Sequence, residues 1–292
     1  MHRTFVLFAA VCFGTTGTAQ ALGPDGADPL TVGAVRIVIG GALLVLVARV
    51  IAGRSSRPWP TRLVLASGVA IAVYQLTFFE SVASTGVAIG TVVALGSAPA
   101  VTGVLARVVN GTPLTGRWAA CTAAATAGVL LLVLSGESAQ VEPAGVLLAL
   151  AAGSGYAFYT VAAKRMLDDG HAPESVMGRA FGTAALLLVP VVLLGDTSWA
   201  RSGSGAGMAL YLAVVPTAIA YVAFARGLRG LSAGDTATLT LAEPLTAAAL
   251  GALVLGERPG LLAIAGAALV LAGLFALALP ARRPADPVPV VA

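Results

Sequence analysis

Residues 241–257 read LAEPLTAAALGALVLGE, and this stretch places one acidic residue, Glu243, directly before Pro244 inside an apolar run. Runs of this kind fill the chain, in which 58% of the 292 residues are hydrophobic and only 10% are charged. Soluble globular domains carry roughly a quarter charged residues, so this balance is typical of a membrane protein. The run around Glu243 is therefore predicted to cross a lipid bilayer.

Several apolar stretches are long enough to cross a hydrocarbon core of about 30 Å as helices. They are separated by charged or Gly/Pro-rich turns and lie at residues 4–22, 28–50, 62–84, 86–107, 117–135, 143–165, 174–195, 207–227, 235–255 and 260–280. The sequence thus predicts an all-α polytopic membrane protein with ten transmembrane helices. The first stretch also resembles a cleavable secretory signal, because the small-residue pattern AQA occurs at residues 19–21.

The two halves of the sequence resemble each other weakly. Shifted by 143 residues, LFAAVCFG at 7–14 lies over LAAGSGYA at 150–157, and Arg36 lies over Arg179. Shifted by 145 residues, SAPAVTGVLA at 97–106 lies over AEPLTAAALG at 242–251. The first apolar stretch has a partner in the sixth, which favours a retained helix over a cleaved signal.

Each half contains five predicted helices, and an odd number makes the second half cross the membrane in the opposite sense. We therefore predict a 5+5 inverted-topology repeat. Its first half is residues 1–138, its second half is residues 139–280, and residues 281–292 form a short cytoplasmic tail. Many secondary transporters build a binding site near the bilayer midplane from such repeats, so transport is the favoured function.

Basic residues predict the orientation, because Lys and Arg are retained on the cytoplasmic side. With the N-terminus inside, thirteen of the 17 basic residues lie on the inner side, against Arg201 and Arg258 on the outer side. The inner set is Arg3, Arg49, Arg54, Arg57, Arg62, Arg107, Arg117, Lys164, Arg165, Arg226, Arg229, Arg282 and Arg283. Both termini are predicted to be cytoplasmic, in a multi-pass protein of the plasma (inner) membrane. The basic residues form no aromatic-studded face, so nucleic acid is not an expected partner.

Glu243 is predicted to lie about 12 Å from the cytoplasmic end of its helix, at about 1.5 Å per residue. Inserting an acidic residue at a helix centre costs about 2.5–3.5 kcal/mol, and Pro244 removes a backbone donor. Such a pair is tolerated where it faces protein or a water-filled cavity. Two interpretations remain open: a substrate-amine partner or proton carrier, and a protonated glutamic acid bonded to backbone that the proline leaves open.

Arg36 and Arg179 occupy matching positions in the two halves, about one or two turns inside their helices. One interpretation is that both side chains extend to the lipid headgroups. The other is a pair of cationic groups, one in each half, that attract a substrate carboxylate or lock a gate. Their recurrence favours a shared structural role.

Other polar and aromatic residues interrupt the spans and are candidates for lining a cavity, although aromatic residues in spans also pack against neighbouring helices. The complete set of candidate cavity residues is Gln20, Arg36, Tyr74, Gln75, Tyr156, Tyr159, Tyr221 and Glu243. The amides of Gln20 and Gln75 need hydrogen-bond partners inside a span, which favours them within this set. Helix flexure and gating are predicted at Pro99, Arg179, Pro216 and Pro244.

Motifs of other function classes are missing from the sequence. It contains no GxxxxGK[ST] motif for ATP and no HExxH motif, and both histidines, His2 and His171, lie in flanking segments. Cys12 and Cys121 lie in apolar runs, where small buried hydrophobic residues are the simpler interpretation. The chain is therefore not expected to be an enzyme or to hold a cofactor or a metal.

Several stretches carry a resemblance to a known family: FGTTGTAQAL, PLTVGAVRIVIGGALLVL, GSGYAFYTVAAKR and, above all, LAEPLTAAALGALVLGERPGLLAIAGAALVLAGL. Over nearly its whole length the chain resembles the EamA-type transporters of the drug/metabolite transporter superfamily. The resemblance implies helices one to four and six to nine around a central cavity, with helices five and ten outside. The family's Glu-Pro pair falls on Glu243 and Pro244, and its helix-two arginine on Arg36. The first half departs from the pattern, since Ala98 precedes Pro99.

The resulting hypothesis is a secondary carrier that exports small metabolites by alternating access. Amino acids or related amphipathic compounds are the first choice of substrate, protons are a candidate coupling ion, and a homodimer is a candidate assembly. The alternative within transport is a multidrug or toxic-compound efflux carrier. Outside transport, the alternatives are a membrane scaffold or a membrane-embedded enzyme.

Overall fold

The structure, a computed structural model, describes residues 1–52, 57–134, 142–256, 258 and 260–279. Within these ranges the side chains of residues 86–89, 92 and 133 are not described. The predicted tail at residues 281–292, the predicted boundary between residues 138 and 139, and Arg54, Arg282 and Arg283 lie outside the described residues.

Across these ranges the regular structure is helical. The α-helices are α1 (His2–Ala21), α2 (Pro29–Ile51), α3 (Thr61–Asn110), α4 (Gly116–Leu134), α5 (Pro143–Asp168), α6 (Pro173–Leu194), α7 (Gly203–Ala213), α8 (Ala220–Leu228), α9 (Ala233–Leu239), α10 (Ala242–Val254) and α11 (Leu261–Ala278). Nine segments of the described chain are long and apolar enough to cross a membrane, and Gly116–Leu132 is a shorter apolar helix. The prediction of an all-α polytopic membrane protein is confirmed.

The third and fourth predicted spans are the two arms of one helical element, α3. Its candidate spans are Thr61–Thr85 and Val93–Asn110. A Cβ at Gly90 would lie 3.0 Å from Ser81 Oγ and 3.1 Å from Val82 N, so the chain reverses direction between the arms. Residues this far apart in one straight helix would be separated by about 12 Å.

Helix α5 packs along both arms of this hairpin through glycines. Gly145 lies against Thr85 and Gly155 against Tyr74, so α5 runs antiparallel to the first arm. Gly153 lies against Ala94 and Ser97 of the second arm. Without a side chain, glycine lets helix backbones approach closely, which is a common way of packing helices in membranes.

The eighth predicted span is not one regular helix. It consists of α7, a π-helical segment at Val214–Ile219 and α8. Pro216 lacks the N–H that would bond the carbonyl of Leu212, and the hydroxyl of Thr217 donates to that carbonyl instead, at 2.8 Å. The backbone irregularity at the predicted flexure point Pro216 is therefore satisfied inside the protein.

The ninth predicted span is also broken, into α9 and α10. The break at Thr240 and Leu241 is tight, since Leu241 N donates to Thr238 O at 3.1 Å and Glu243 N donates to Thr240 O at 2.9 Å. Pro99, in contrast, lies buried within α3, which continues as helix through it. The π-helical segment thus contains Pro216, and the break between α9 and α10 lies directly before Glu243 and Pro244.

Candidate functional site

Arg36 on α2 is held inside the protein by Gln75 on α3. Its Nη2 donates to Gln75 Oε1 at 3.0 Å, and Gln75 is only 1% exposed. Gly33, one turn before Arg36, makes room for the amide, because a Cβ at this position would collide with Gln75 Nε2 and the Phe79 ring. Arg36 therefore makes a contact inside the protein. In the other interpretation of the sequence, its side chain would extend to the lipid headgroups.

Glu243 lies in the first turn of α10. Pro244 follows in that turn, where the first N–H groups of a helix have no intrahelical partner, so its missing donor costs little. The carbonyl of Thr240, which a proline at position 244 would leave open, accepts from Glu243 N. The acid and the proline thus begin a helix rather than interrupt one. The positive end of the helix dipole also lies at this acid.

The carboxylate of Glu243 makes no hydrogen bond or ion pair with any residue that the structure describes. Among these residues the ion pairs within 4.0 Å are Lys164 with Asp168, Arg165 with Asp169, and Arg226 with Glu174. Glu243 is partly buried, and the charge of Arg36 acts on it from a longer distance. Among the described residues, no backbone group is hydrogen-bonded to the Glu243 carboxyl group, as a purely structural role would require. The carboxyl group and the Arg36 guanidinium also do not form an ion pair.

Seven aromatic rings from five helices surround this region and are called the aromatic cluster: Phe13, Tyr74, Tyr156, Tyr159, Phe181, Tyr221 and Phe224. The ring centroids of Phe181 and Tyr221 lie 4.0 Å apart, and those of Phe13 and Tyr221 lie 4.9 Å apart. The ring centroid of Tyr156 lies 5.2 Å from that of Tyr159 and 6.3 Å from that of Tyr74, so Tyr156 joins the rings of α3 and α5. The charge of Glu243 acts on Tyr74, Tyr156 and Tyr221.

Two hydroxyl contacts connect the cluster to the helix breaks. The hydroxyl of Tyr156 and Oγ1 of Thr240 lie 3.0 Å apart, which joins α5 to the break before α10. The hydroxyls of Tyr159 and Tyr221 lie 3.4 Å apart. A movement of α9 relative to α10 would therefore be transmitted to the cluster through Tyr156.

The structure brings seven of the eight candidate cavity residues together and leaves Gln20 apart. Gln20 lies near the end of α1, in a separate pocket with Asp25 and Met208, and its amide donates to Thr16 O in its own helix. Sequence reasoning missed Phe13, Phe181 and Thr240. Apolar rings and single threonines are common in every span, so nothing in the pattern distinguishes these three.

Arg179 also lies apart from Arg36 and has different partners. Its guanidinium lies 4.2 Å from the ring centroid of Trp59, and Trp59 stacks on His171 at 4.0 Å. His171 is 2% exposed in the connection between α5 and α6, and its burial lowers the pKa of the imidazole. The positions match in sequence, but only Arg36 belongs to the site around Glu243.

Comparisons with known proteins agree with this architecture. The sequence profile described as the EamA-like transporter family matches residues 3–134 and 143–279. The chain is similar to the uncharacterized transporter YwfM of Bacillus subtilis, with 38% identity over 283 residues, 97% of this chain and 95% of the relative. It is also similar to the uncharacterized protein PA1977 of Pseudomonas aeruginosa, with 29% identity over 282 residues, 93% of this chain and 95% of the relative.

A crystal structure of a protein with 22% sequence identity superposes with a TM-score of 0.79 and covers 94% of this chain and 96% of that chain. This likeness shows a shared fold. The profile match covers most of the chain, the relative from Bacillus subtilis covers nearly all of it, and both descriptions name transporters. The chain belongs to the EamA-like transporter family.

Proposed function

We propose that the protein is a secondary carrier that exports small zwitterionic metabolites, with amino acids as the first choice. The observation that carries the proposal is the pair of Arg36 and Glu243, two opposite charges in one interior region that do not contact each other. A carboxylate is a natural partner for a guanidinium, and an ammonium group for a carboxylate. A zwitterion would satisfy both groups at once.

Alternating access by two inverted halves would move such a substrate, and contacts between α4 and α11 support that arrangement. Gly128 lies against Gly266 and Val270, while Gly273 lies against Cys121 and Ala125. Adding the offset of 145 residues found in the sequence to Cys121, Ala125 and Gly128 gives Gly266, Val270 and Gly273. The two sets of contacts are therefore equivalent under the repeat. The two helices also run antiparallel, as equivalent helices of inverted repeats must.

The broken spans supply the flexure that the mechanism needs. The π-helical segment around Pro216 and the break before Glu243 lie in neighbouring spans. Both have their backbone groups bonded locally, so each can bend without exposing unpaired groups to lipid. Pro99 and Pro244 remain candidate flexure points, and Arg179 remains a candidate for a gate through its contact with Trp59.

The proposed location is the plasma membrane, and the distribution of basic residues supports an orientation with both termini in the cytoplasm. Glu243 is the proposed site of proton coupling, because its carboxylate has no partner among the described residues. A homodimer remains a candidate assembly.

A second candidate function, efflux of amphipathic cations, is favoured by the aromatic cluster. Seven rings meet near one carboxylate that has no partner among the described residues, and aromatic faces attract cations with about 0.5–2 kcal/mol each. Arg36 argues against this candidate, because a fixed positive charge in the same interior repels a cationic substrate.

Uptake into proteoliposomes tests the proposal. Purified protein is reconstituted and supplied with labelled amino acids and labelled cationic dyes, with and without a pH gradient. We expect amino-acid flux that falls at least tenfold in Glu243→Gln. If dyes move and amino acids do not, efflux of cations replaces the proposal. If amino-acid flux ignores the pH gradient, proton coupling is wrong. Flux that is unchanged in Glu243→Gln would contradict the site itself.

A further inference from the structure

The contact between Arg36 and Gln75 has a feature that packing alone does not explain. Gln75 is almost completely buried, yet only its Oε1 has a partner among the described residues, while its Nε2 and the Nε of Arg36 are buried and find no acceptor there. Leaving a buried donor unpaired costs about 1–3 kcal/mol. Since native structures avoid such groups, two of them on one hydrogen-bonded pair of residues call for an explanation.

We propose that Gln75 is a positioning residue, which holds the Arg36 guanidinium away from Glu243 and so keeps a carboxylate-binding group and an ammonium-binding group available together. The proposal rests on the proposed function, since it assigns the two ends of a zwitterionic substrate. Arg36 would receive the carboxylate, and Glu243 would receive the ammonium group.

The geometry around Arg36 explains why a holding residue is needed. Arginine has a long side chain with many rotamers, and an arginine and a carboxylate in a region of low dielectric attract each other strongly. Without a fixed acceptor, the guanidinium would be free to move towards Glu243 and form an ion pair. That pair would occupy both binding groups and compete with the substrate.

Gln75 is suited to this role by its chemistry and its surroundings. Its amide oxygen accepts from Arg36 without adding a charge, so the guanidinium keeps its net attraction for an anion. Gly33 on α2 and Phe79 on α3 enclose the amide, and this leaves it little rotational freedom. The Nη1 of Arg36 has no hydrogen bond to any described residue, so this side of the guanidinium is open to a ligand.

The test uses Gln75→Met, which keeps the shape of the side chain and removes the acceptor. The matched control is Thr77→Val, two residues along the same helix, where the lost hydroxyl donates to Val73 O and to no other described residue. Three probes are compared. L-phenylalanine carries both charged groups, 2-phenylethylamine lacks the carboxylate, and 3-phenylpropanoate lacks the amine. Their dissociation constants are measured on the purified full chain.

We expect Gln75→Met to weaken binding of all three probes about tenfold, because the Arg36–Glu243 ion pair that forms without the acceptor occupies both binding groups, and Thr77→Val to leave all three within about twofold, by the scale of one hydrogen bond to a charged group. A second readout needs no ligand. An apolar carbodiimide labels protonated carboxyl groups, and mass spectrometry follows its attachment at Glu243. Labelling should fall in Gln75→Met, where Arg36 pairs with the acid, and not in Thr77→Val.

Unchanged binding of the probes, weakening confined to the two probes that carry a carboxylate, or unchanged labelling in Gln75→Met would overturn the positioning role. If the wild type binds none of the probes and moves no amino acid, the proposed function fails. The labelling experiment then decides about Gln75 alone: a fall restricted to Gln75→Met keeps it as the residue that separates Arg36 from Glu243, and no fall removes that role. If Gln75→Met does not fold, Gln75→Asn gives the same comparison through a shorter acceptor.

Discussion

Gly14 on α1 offers a quantitative test of how the site is positioned. A Cβ at this residue would lie 2.6 Å from the carbonyl oxygen of Glu243 and 2.6 Å from Thr246 Cβ. Both neighbours belong to the first turns of α10, and one is backbone, so a side chain cannot simply rotate away. Gly14→Ala should therefore push α10, with its acid, away from α1.

The expected magnitude follows from two opposing contributions. Overpacking a close helix contact costs about 1–3 kcal/mol, while Gly to Ala within a helix gains about 0.5–1 kcal/mol. Gly14→Ala should thus lose up to about 2.5 kcal/mol of stability, and should lie about 1–3 kcal/mol below a helical Gly to Ala change that meets no neighbour. Gly17 is the matched control, because a Cβ at this position meets nothing within 4 Å and the substitution brings only the gain.

The assay is thermal unfolding in detergent, followed by amino-acid flux in proteoliposomes. With about 2–4 °C for each kcal/mol, Gly14→Ala should melt several degrees below Gly17→Ala. Flux should fall in Gly14→Ala and stay close to wild type in Gly17→Ala. Equal melting temperatures and equal flux in the two variants would refute the close approach of α1 to α10.

Two further predictions concern the ends of the helices. Arg117 donates to the carbonyls of Ala276, Leu277 and Leu279 at the end of α11, so Arg117→Ala should lower stability by about 1 kcal/mol; thermal unfolding checks this against the exposed Arg107→Ala. Burial and the nearby Arg57 and Arg179 lower the pKa of His171, and Asp169 opposes them. A depressed pKa means that the unfolded chain binds more protons, so the stability that the neutral His171 contributes is present above about pH 6.5 and is lost as the pH falls through its lowered pKa. The fluorescence of Trp59 is obtained by subtracting the signal of Trp59→Phe from that of the wild type. It should change over that pH range in the wild type and should not change when His171 is replaced by Phe.

The number and position of the spans could be read from the sequence, because a lipid environment leaves the backbone few choices. Helix α2 begins and ends within one residue of the predicted stretch at 28–50, and α6 is shifted by one residue from 174–195. Composition sufficed here, since an apolar run of this length has helix as its stable form in lipid.

The two broken spans could not be predicted from the sequence. Pro216 and Pro244 indicate irregular backbone, but the form it takes depends on local acceptors and donors. At Pro216 the hydroxyl of Thr217 accommodates a π-helical segment, while before Pro244 the N–H of Glu243 closes a tight turn. Proline alone predicts neither outcome.

Periodicity and polarity indicated most of the candidate residues that lie together around Arg36 and Glu243, whereas Gln20 and Arg179 lie elsewhere. It places Tyr156 and Tyr159 on one face of α5, and the structure has both in the aromatic cluster. It cannot determine depth along a helix or contacts with other helices. Gln20 and Arg179 therefore share the polar signature of Gln75 and Arg36 and lie elsewhere.

The first half has Ala98 where the second half has Glu243, and the contact of Arg36 with Gln75 gives a physical reason for this difference. A second carboxylate in place of Ala98 would give the interior two acids and one arginine, and the arginine would be drawn to one of them. With Ala98 buried in the apolar core, Glu243 is the acid near the single guanidinium that Gln75 restrains. Among the described residues of this region, the asymmetry between the halves thus leaves one cationic and one anionic position, which is the arrangement that the proposed zwitterionic substrate needs and a simple cation does not.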